Sequence, residues 1–189
     1  MSQSSALQGW LELRAVKGLG PITYTRLINR FGSPEAIRKA HLSELVATGD
    51  LSPSLALALQ QPLSESTQQH IQREMKAVEA GRFSILTLTD PAYPARLQTI
   101  ADPPPILYYT GQLLESDQQA LAIVGARKGS HSGRTFTRQL SGDLAALGFT
   151  IVSGLARGVD ADAHEGALAS KGRTVAVLGC GIDQTYPPE

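Results

Sequence analysis

At 189 residues and 42% hydrophobic content, the chain is long enough for one or two domains with a sizeable core. Its 17 basic and 17 acidic side chains cancel to a formal net charge of +0, which excludes nucleic-acid binding by overall basicity, since that mode depends on many cations releasing counterions. No run of about 18 apolar residues occurs and no basic segment precedes a long apolar one, so the expectation is a cytoplasmic protein without a membrane partner.

Residues 1–81 carry helical periodicity and no strand pattern. Trp10, Leu11 and Leu13 lead into the glycine pair of Gly18 to Pro21, and Leu27, Ile28 and Phe31 come after it. Ser33-Pro34 and Ser52-Pro53 each read as a cap followed by a proline at the first helical position. Ile71, Met75 and Val78 space a longer helix that Gly81 ends. The expectation is a small all-α domain, compatible with a helix-hairpin-helix or sterile-alpha-motif-like bundle. The piece GLGP at Gly18 to Pro21 resembles the hairpin of helix-hairpin-helix DNA-binding proteins, whose backbone N–H groups point at a phosphate from a helix start. Lys17, Gly18 and Gly20 are therefore candidate secondary DNA contacts, with Arg26 assisting. Two glycines also make a tight turn between helices, which is the favoured alternative.

A domain boundary is expected near Gly81. Phe83 to Leu88 reads as a strand, prolines at 91, 94, 103, 104 and 105 interrupt the next stretch, and Ile106 to Tyr109 reads as another strand. Both strands are expected to join a C-terminal sheet, giving a second domain over 82–189.

Three apolar runs then end in glycine turns: Ala120 to Val124 at Gly125, Thr150 to Val152 at Ser153-Gly154, and Thr174 to Leu178 at Gly179. Each has the length of a strand buried on both faces. Between the first two, Phe136, Leu140, Leu144 and Leu147 recur at helical intervals, and Gly148 follows where a helix C-cap would sit. Between the second and third, Ala161 to Ser170 reads as a helix with Asp160 as N-cap and Gly172 as terminator. Strand, helix, strand, helix, strand predicts an α/β fold with a parallel sheet whose turns gather at one edge.

At that edge, helix N-termini and glycine backbone can hold phosphates. The candidate phosphate-binding residues are Gly125, Arg127, Lys128, Ser130, Ser153, Gly154, Arg157 and Gly158, with His131 able to add a hydrogen bond. Arg127 would supply a charge-assisted contact worth about 2 kcal/mol. The span Gln118 to Gly142 contains no acidic residue, and Arg134 and Arg138 lie one helical turn apart within it. They are possible secondary DNA contacts or, alternatively, a solvated helix face. After Gly125 the next glycines are Gly129 and Gly133, which is not the spacing of the dinucleotide fingerprint, and no GxxxxGK[ST] occurs. NAD binding and ATPase activity are disfavoured, and no cofactor is expected.

Asp160, Asp162 and His164 invite a metal, yet positions two apart on a helix point apart. Asp160 is read as the N-cap, Asp162 as a partner of the helix dipole and His164 as a packing residue, so no metal and no catalytic residue are expected. The single cysteine, Cys180, is read as a small buried residue of a glycine turn. Few aromatics are available for base stacking: Phe136 and Phe149 read as core, and Tyr186 as either a stacking or a packing residue.

Together, GAR at Gly125 to Arg127, SGLARGVDADAH at Ser153 to His164, GAL at Gly166 to Leu168 and AVLGCGIDQTYPPE at Ala176 to Glu189 resemble the DNA processing protein A family, also called Smf. DPAYPARL at Asp90 to Leu97 and DPPPILYYTG at Asp102 to Gly111 resemble its lead-in. The resemblance implies a Rossmann-like domain without catalysis. It also implies single-stranded-DNA binding, protection of incoming DNA in natural transformation, delivery to the RecA recombinase, and a homodimer in the complete protein. Relatives continue past the TYPPE segment, so the sheet is expected to be incomplete at its C-terminus, with apolar faces uncovered. Relatives often carry a basic residue just after Tyr186-Pro187, where this chain has Pro188. The rivals are a nucleotide-processing hydrolase of the lysine-decarboxylase-like group, whose PGGxGTxxE motif is missing here, and a nucleotide-sensing domain.

Overall fold

Serine hydroxyls start three of the N-terminal helices. In the computed structural model, which describes residues 3–187, Ser33, Ser52 and Ser64 accept hydrogen bonds from the N–H groups of Ala36, Leu55 and Thr67 at 3.2, 3.2 and 3.3 Å. They open α3 (Pro34–Lys39), α5 (Pro53–Gln60) and α6 (Glu65–Glu79). With α1 (Gln3–Arg14), α2 (Pro21–Phe31) and α4 (Leu42–Val46), these helices enclose a core that includes Leu11, Leu13, Leu27, Ile37, Leu59 and Ile71. The Trp10 and Tyr24 rings stack 5.6 Å apart, and the Tyr24 hydroxyl donates to the Trp10 carbonyl at 2.8 Å. Gly81 follows α6 at a φ of 68°, the left-handed conformation that glycine adopts freely.

Here the structure departs from the sequence expectation. β1 (Ser84–Thr87) and β2 (Ile106–Tyr109) form their own two-stranded antiparallel sheet, with Ser84 opposite Tyr109 and Thr87 opposite Ile106, and do not join the C-terminal one. Leu86, Leu88 and Ile106 are buried in the helical core. The proline-rich connection, which includes short helix α7 (Ala95–Gln98), is pinned rather than free. The Tyr93 hydroxyl donates to the Pro104 carbonyl at 2.7 Å, Thr25 on α2 donates to that of Pro103 at 3.1 Å, and Leu88 N–H to that of Pro105 at 3.0 Å. Two compact units result, Met1–Gly111 and Gln112–Glu189, so their division falls after β2 instead of near Gly81.

The second unit contains β3 (Ala120–Ala122), α8 (His131–Ala146), β4 (Thr150–Ser153), α9 (Val159–Ala169) and β5 (Thr174–Ala176). The strands are parallel in the order β3-β4-β5, with Leu121 beside Ile151 and Ile151 beside Thr174. This is the Rossmann-like α/β arrangement that the glycine turns predicted. Ile151, Ala145, Ala163 and Ala167 form its core, with Ile123 and Leu144 packed on them. On the alternate face of the strands, Ala122, Val124 and Val177 are exposed.

Phe136, read as core, does not lie on the buried face of α8. Phe136, Leu140 and Leu147 are 65, 38 and 75% exposed, while Thr137, Ser141, Gly142 and Ala145 are buried. The reason is the closeness of α9. A Cβ on Gly166 would stand 2.1 Å from Ser141 Oγ and 2.2 Å from the Arg138 carbonyl oxygen. Helices that approach this closely need small residues at the seam, and bulky ones turn outward. Helix α8 ends as expected: Gly148 takes a φ of 92° and Phe149 N–H reaches the Leu144 carbonyl at 3.1 Å. Gly172 is set by packing, since a Cβ there would lie 2.4 Å from that of Ala145, and Lys171 takes the left-handed turn instead.

Candidate nucleic-acid interface

Two loops leave the carboxyl ends of β3 and β4, residues 123–130 entering α8 and 154–158 entering α9. Gly158 locks them together. It holds φ 88° and ψ −131°, and a Cβ there would lie 2.4 Å from the Ala126 carbonyl oxygen and 2.6 Å from that of Arg127. Val159 N–H donates to the Ala126 carbonyl at 3.2 Å. On the other side, a Cβ on Gly125 would meet Val159 Cγ1 at 2.8 Å. These glycines are explained by the close approach of one loop to the other.

Three of the donors expected to face a phosphate, Gly125 N–H, Gly154 N–H and the Ser153 hydroxyl, are occupied. Gly158, rather than Asp160, is the N-cap of α9, and Asp160 sits in the first helical turn. Its carboxylate, buried with the residue 7% exposed, accepts from Gly125 N–H at 3.3 Å and from Gly154 N–H at 3.2 Å. The Ser153 hydroxyl, also buried, donates to the Ile123 carbonyl at 2.6 Å. Four of the eight candidate residues, Gly125, Ser153, Gly154 and Gly158, thus build the edge from within. The other four, Arg127, Lys128, Ser130 and Arg157, lie on the two loops, with Arg127 and Lys128 exposed and Ser130 and Arg157 at least partly so. Ser130 caps α8 by accepting from Gly133 N–H at 3.1 Å, and its hydroxyl proton can still be donated. Arg127 and Lys128 enter no ion pair among the described residues.

Arg134 and Arg138 share a face as predicted, but that face is tied to α9. Arg134 grips Asp162 with two nitrogens, at 2.6 and 3.1 Å, and Arg138 Nε meets the same carboxylate at 2.7 Å. Arg138 also reaches Glu165 at 2.8 Å. Two arginines and two carboxylates leave no net charge there. Asp162 is therefore far more than a partner of the helix dipole. Its side chain is fully buried between the helices, and the Arg134 hydrogen bonds hold its carboxyl below the usual aspartate range against the opposing cost of burial.

His164 packs against β5. Its Nδ1 lies 2.7 Å from Thr174 Oγ1, and that hydroxyl donates to the Ile151 carbonyl at 2.8 Å, so Nδ1 carries the proton. Nε2 is buried without a hydrogen-bond partner, and burial lowers the imidazole pKa, with Asp160 opposing. Cys180 is exposed rather than buried. Tyr186 is partly buried, and Pro188 lies outside the described residues. Asp160 and Asp162 are the working residues that the sequence misassigned. The available signal was two acids in the first turn of a helix that directly follows a glycine loop.

In the first unit, the Gly18–Gly20 hairpin connects α1 to α2. Gly18 needs its φ of 91°, whereas a Cβ on Gly20, the N-cap of α2, would meet nothing within 4 Å. Lys17, Gly18 and Gly20 are exposed, and Arg26 pairs with Asp50 at 2.5 Å.

Over 184 residues the chain is 37% identical to Protein Smf of Synechocystis sp., covering 95% of this chain and 46% of that protein. It is 36% identical over 118 residues to DNA processing protein DprA of Streptococcus pneumoniae, covering 62% of this chain and 40% of that one. It therefore spans less than half the length of these curated relatives. The fold is shared with the X-ray structure of DNA processing protein A from Streptococcus pneumoniae, at a TM-score of 0.74 and 24% identity over 99% of this chain and 61% of that one. A family model described as DNA recombination-mediator protein A matches residues 84–189, from the first residue of β1 onward, and the chain belongs to that family.

Proposed function

We propose that this chain binds the phosphate backbone of single-stranded DNA along the rim of its parallel-sheet edge, without catalysis, as part of DNA recombination in the cytoplasm. The observation that carries this is the pairing of two loops at that edge, each with cations: Arg127 and Lys128 on one, Arg157 on the other. Family membership supplies the context, since its description is that of a recombination mediator. On this reading, the bound strand is protected during natural transformation and passed to RecA by a homodimer. A nucleotide-processing role is less well supported, because Asp160 takes the turn N–H groups that a mononucleotide phosphate would use.

The test is fluorescence anisotropy of a labelled oligo-dT and a matched duplex. The chain should prefer the single strand, and Arg127→Ala should weaken that binding by about 10- to 30-fold, the loss expected for one charge-assisted contact. Unchanged affinity in a folded Arg127→Ala chain would remove Arg127 from the interface. Binding of neither DNA would turn attention to nucleotides.

A further inference from the structure

We infer that Asp160 is a specificity-determining residue: it keeps free phosphate and mononucleotides out of the glycine turns and leaves the edge open only to a strand laid along its rim. This rests on the single-strand reading above and deepens it.

In a parallel sheet, the N–H groups of the turns at the carboxyl edge are the donors that a bound phosphate takes. In this chain Gly125 N–H and Gly154 N–H both end on Asp160, one on each carboxylate oxygen, at 3.3 and 3.2 Å. The carboxylate is held by the first turn of α9, and the residue is 7% exposed. A phosphate would have to displace it, because two anions cannot share one pair of donors without strong repulsion. The carboxylate also lies close against the turn: Asp160 Oδ2 is 2.9 Å from where a Cβ on Gly154 would be. The Ser153 hydroxyl is engaged by the Ile123 carbonyl and offers no substitute donor.

A mononucleotide loses the Gly125 and Gly154 donors and must rely on the rest of the rim, where a single phosphate makes few contacts at once. A strand sets successive phosphates on Arg127, Lys128 and Arg157 together, and each contact raises the effective concentration for the next. Discrimination by polymer length thus arises from one internal carboxylate.

The experiment uses the whole chain. Amide NMR spectra of the 15N-labelled protein track Gly125 and Gly154 as AMP, inorganic phosphate and oligo-dT are added separately, and AMP competes with labelled oligo-dT in anisotropy. The expected result is that millimolar AMP or phosphate leaves both glycine signals in place and displaces no oligo-dT. Asp160→Ala, checked for native folding by the same spectra, should gain AMP and phosphate affinity by at least about tenfold, as one restored pair of phosphate hydrogen bonds implies. Movement of the wild-type Gly125 and Gly154 signals by AMP, or no gain in a folded Asp160→Ala chain, overturns the inference. If Asp160→Ala does not fold, the wild-type titration decides alone. Failure of wild-type protein to bind oligo-dT would defeat the single-strand reading, while the AMP and phosphate titrations still judge Asp160 separately.

Discussion

His164 links chemistry to stability at the scale of one residue. Burial lowers its pKa in the folded chain, outweighing the opposite pull of Asp160, so the unfolded chain binds a proton more readily. By linkage, the stability this group supports is intact above its unfolded value of about 6.5 and declines as the pH falls below it. The melting temperature should therefore drop between pH 7.5 and 5.5. His164→Asn, whose side-chain amide can take the place of Nδ1 opposite Thr174, should flatten that part of the profile; an unaltered slope would assign the effect to other groups. Asp117 acts in a separate window. Hydrogen bonds from Arg173, and further ones from Leu114 N–H and Thr150, hold its carboxyl at about 2. Its contribution is present above the ordinary aspartate value and is lost only as the pH falls towards 2.

At the scale of elements, the seam between α8 and α9 carries the clearest mechanical prediction. Gly166 sits inside a helix, where alanine is ordinarily better by about 1 kcal/mol. Its neighbours Ser141 Oγ and the Arg138 carbonyl reverse that preference, because an added methyl overlaps both. Gly166→Ala should destabilise the chain by about 1–3 kcal/mol in denaturant melts, and a neutral or stabilising result would show that the helices can separate without cost. The same seam explains what the sequence hid. Serine caps and the glycines after α6 and α8 were legible, because their conformations are fixed within a few residues. Phe136 was misread as core because it stands in a helical apolar repeat, and only the proximity of α9 makes Thr137, Ser141 and Ala145 the buried set. The partner of β1 was equally hidden, since it depends on how the proline-rich segment docks onto α2. For the site, the loops and their cations were readable from glycine spacing. The bond from Asp160 to Gly125 was not, because it joins positions 35 apart in the chain.

For the whole molecule, balanced charge limits how DNA can be held. With 17 cations against 17 anions, and Arg134 and Arg138 matched by Asp162 and Glu165, long-range attraction to DNA is weak. Binding should rely on the few rim cations. Three phosphate contacts at a slope of about 0.7 each predict that log affinity for oligo-dT falls with log salt concentration with a slope of about −2, and a much steeper slope would indicate a wider basic surface. The tight seam matters here in another way. Because α8 and α9 meet through glycine, alanine and serine, their backbones pack at close range, and the loops at their N-terminal ends are tied by the bond from Val159 N–H to the Ala126 carbonyl. On the proposed single-strand reading, the edge would work as a ruler: a flexible single strand would adjust its own backbone to the interval between the cations and bear the ordering cost, while a stiff duplex, unable to make that adjustment, would be disfavoured by geometry.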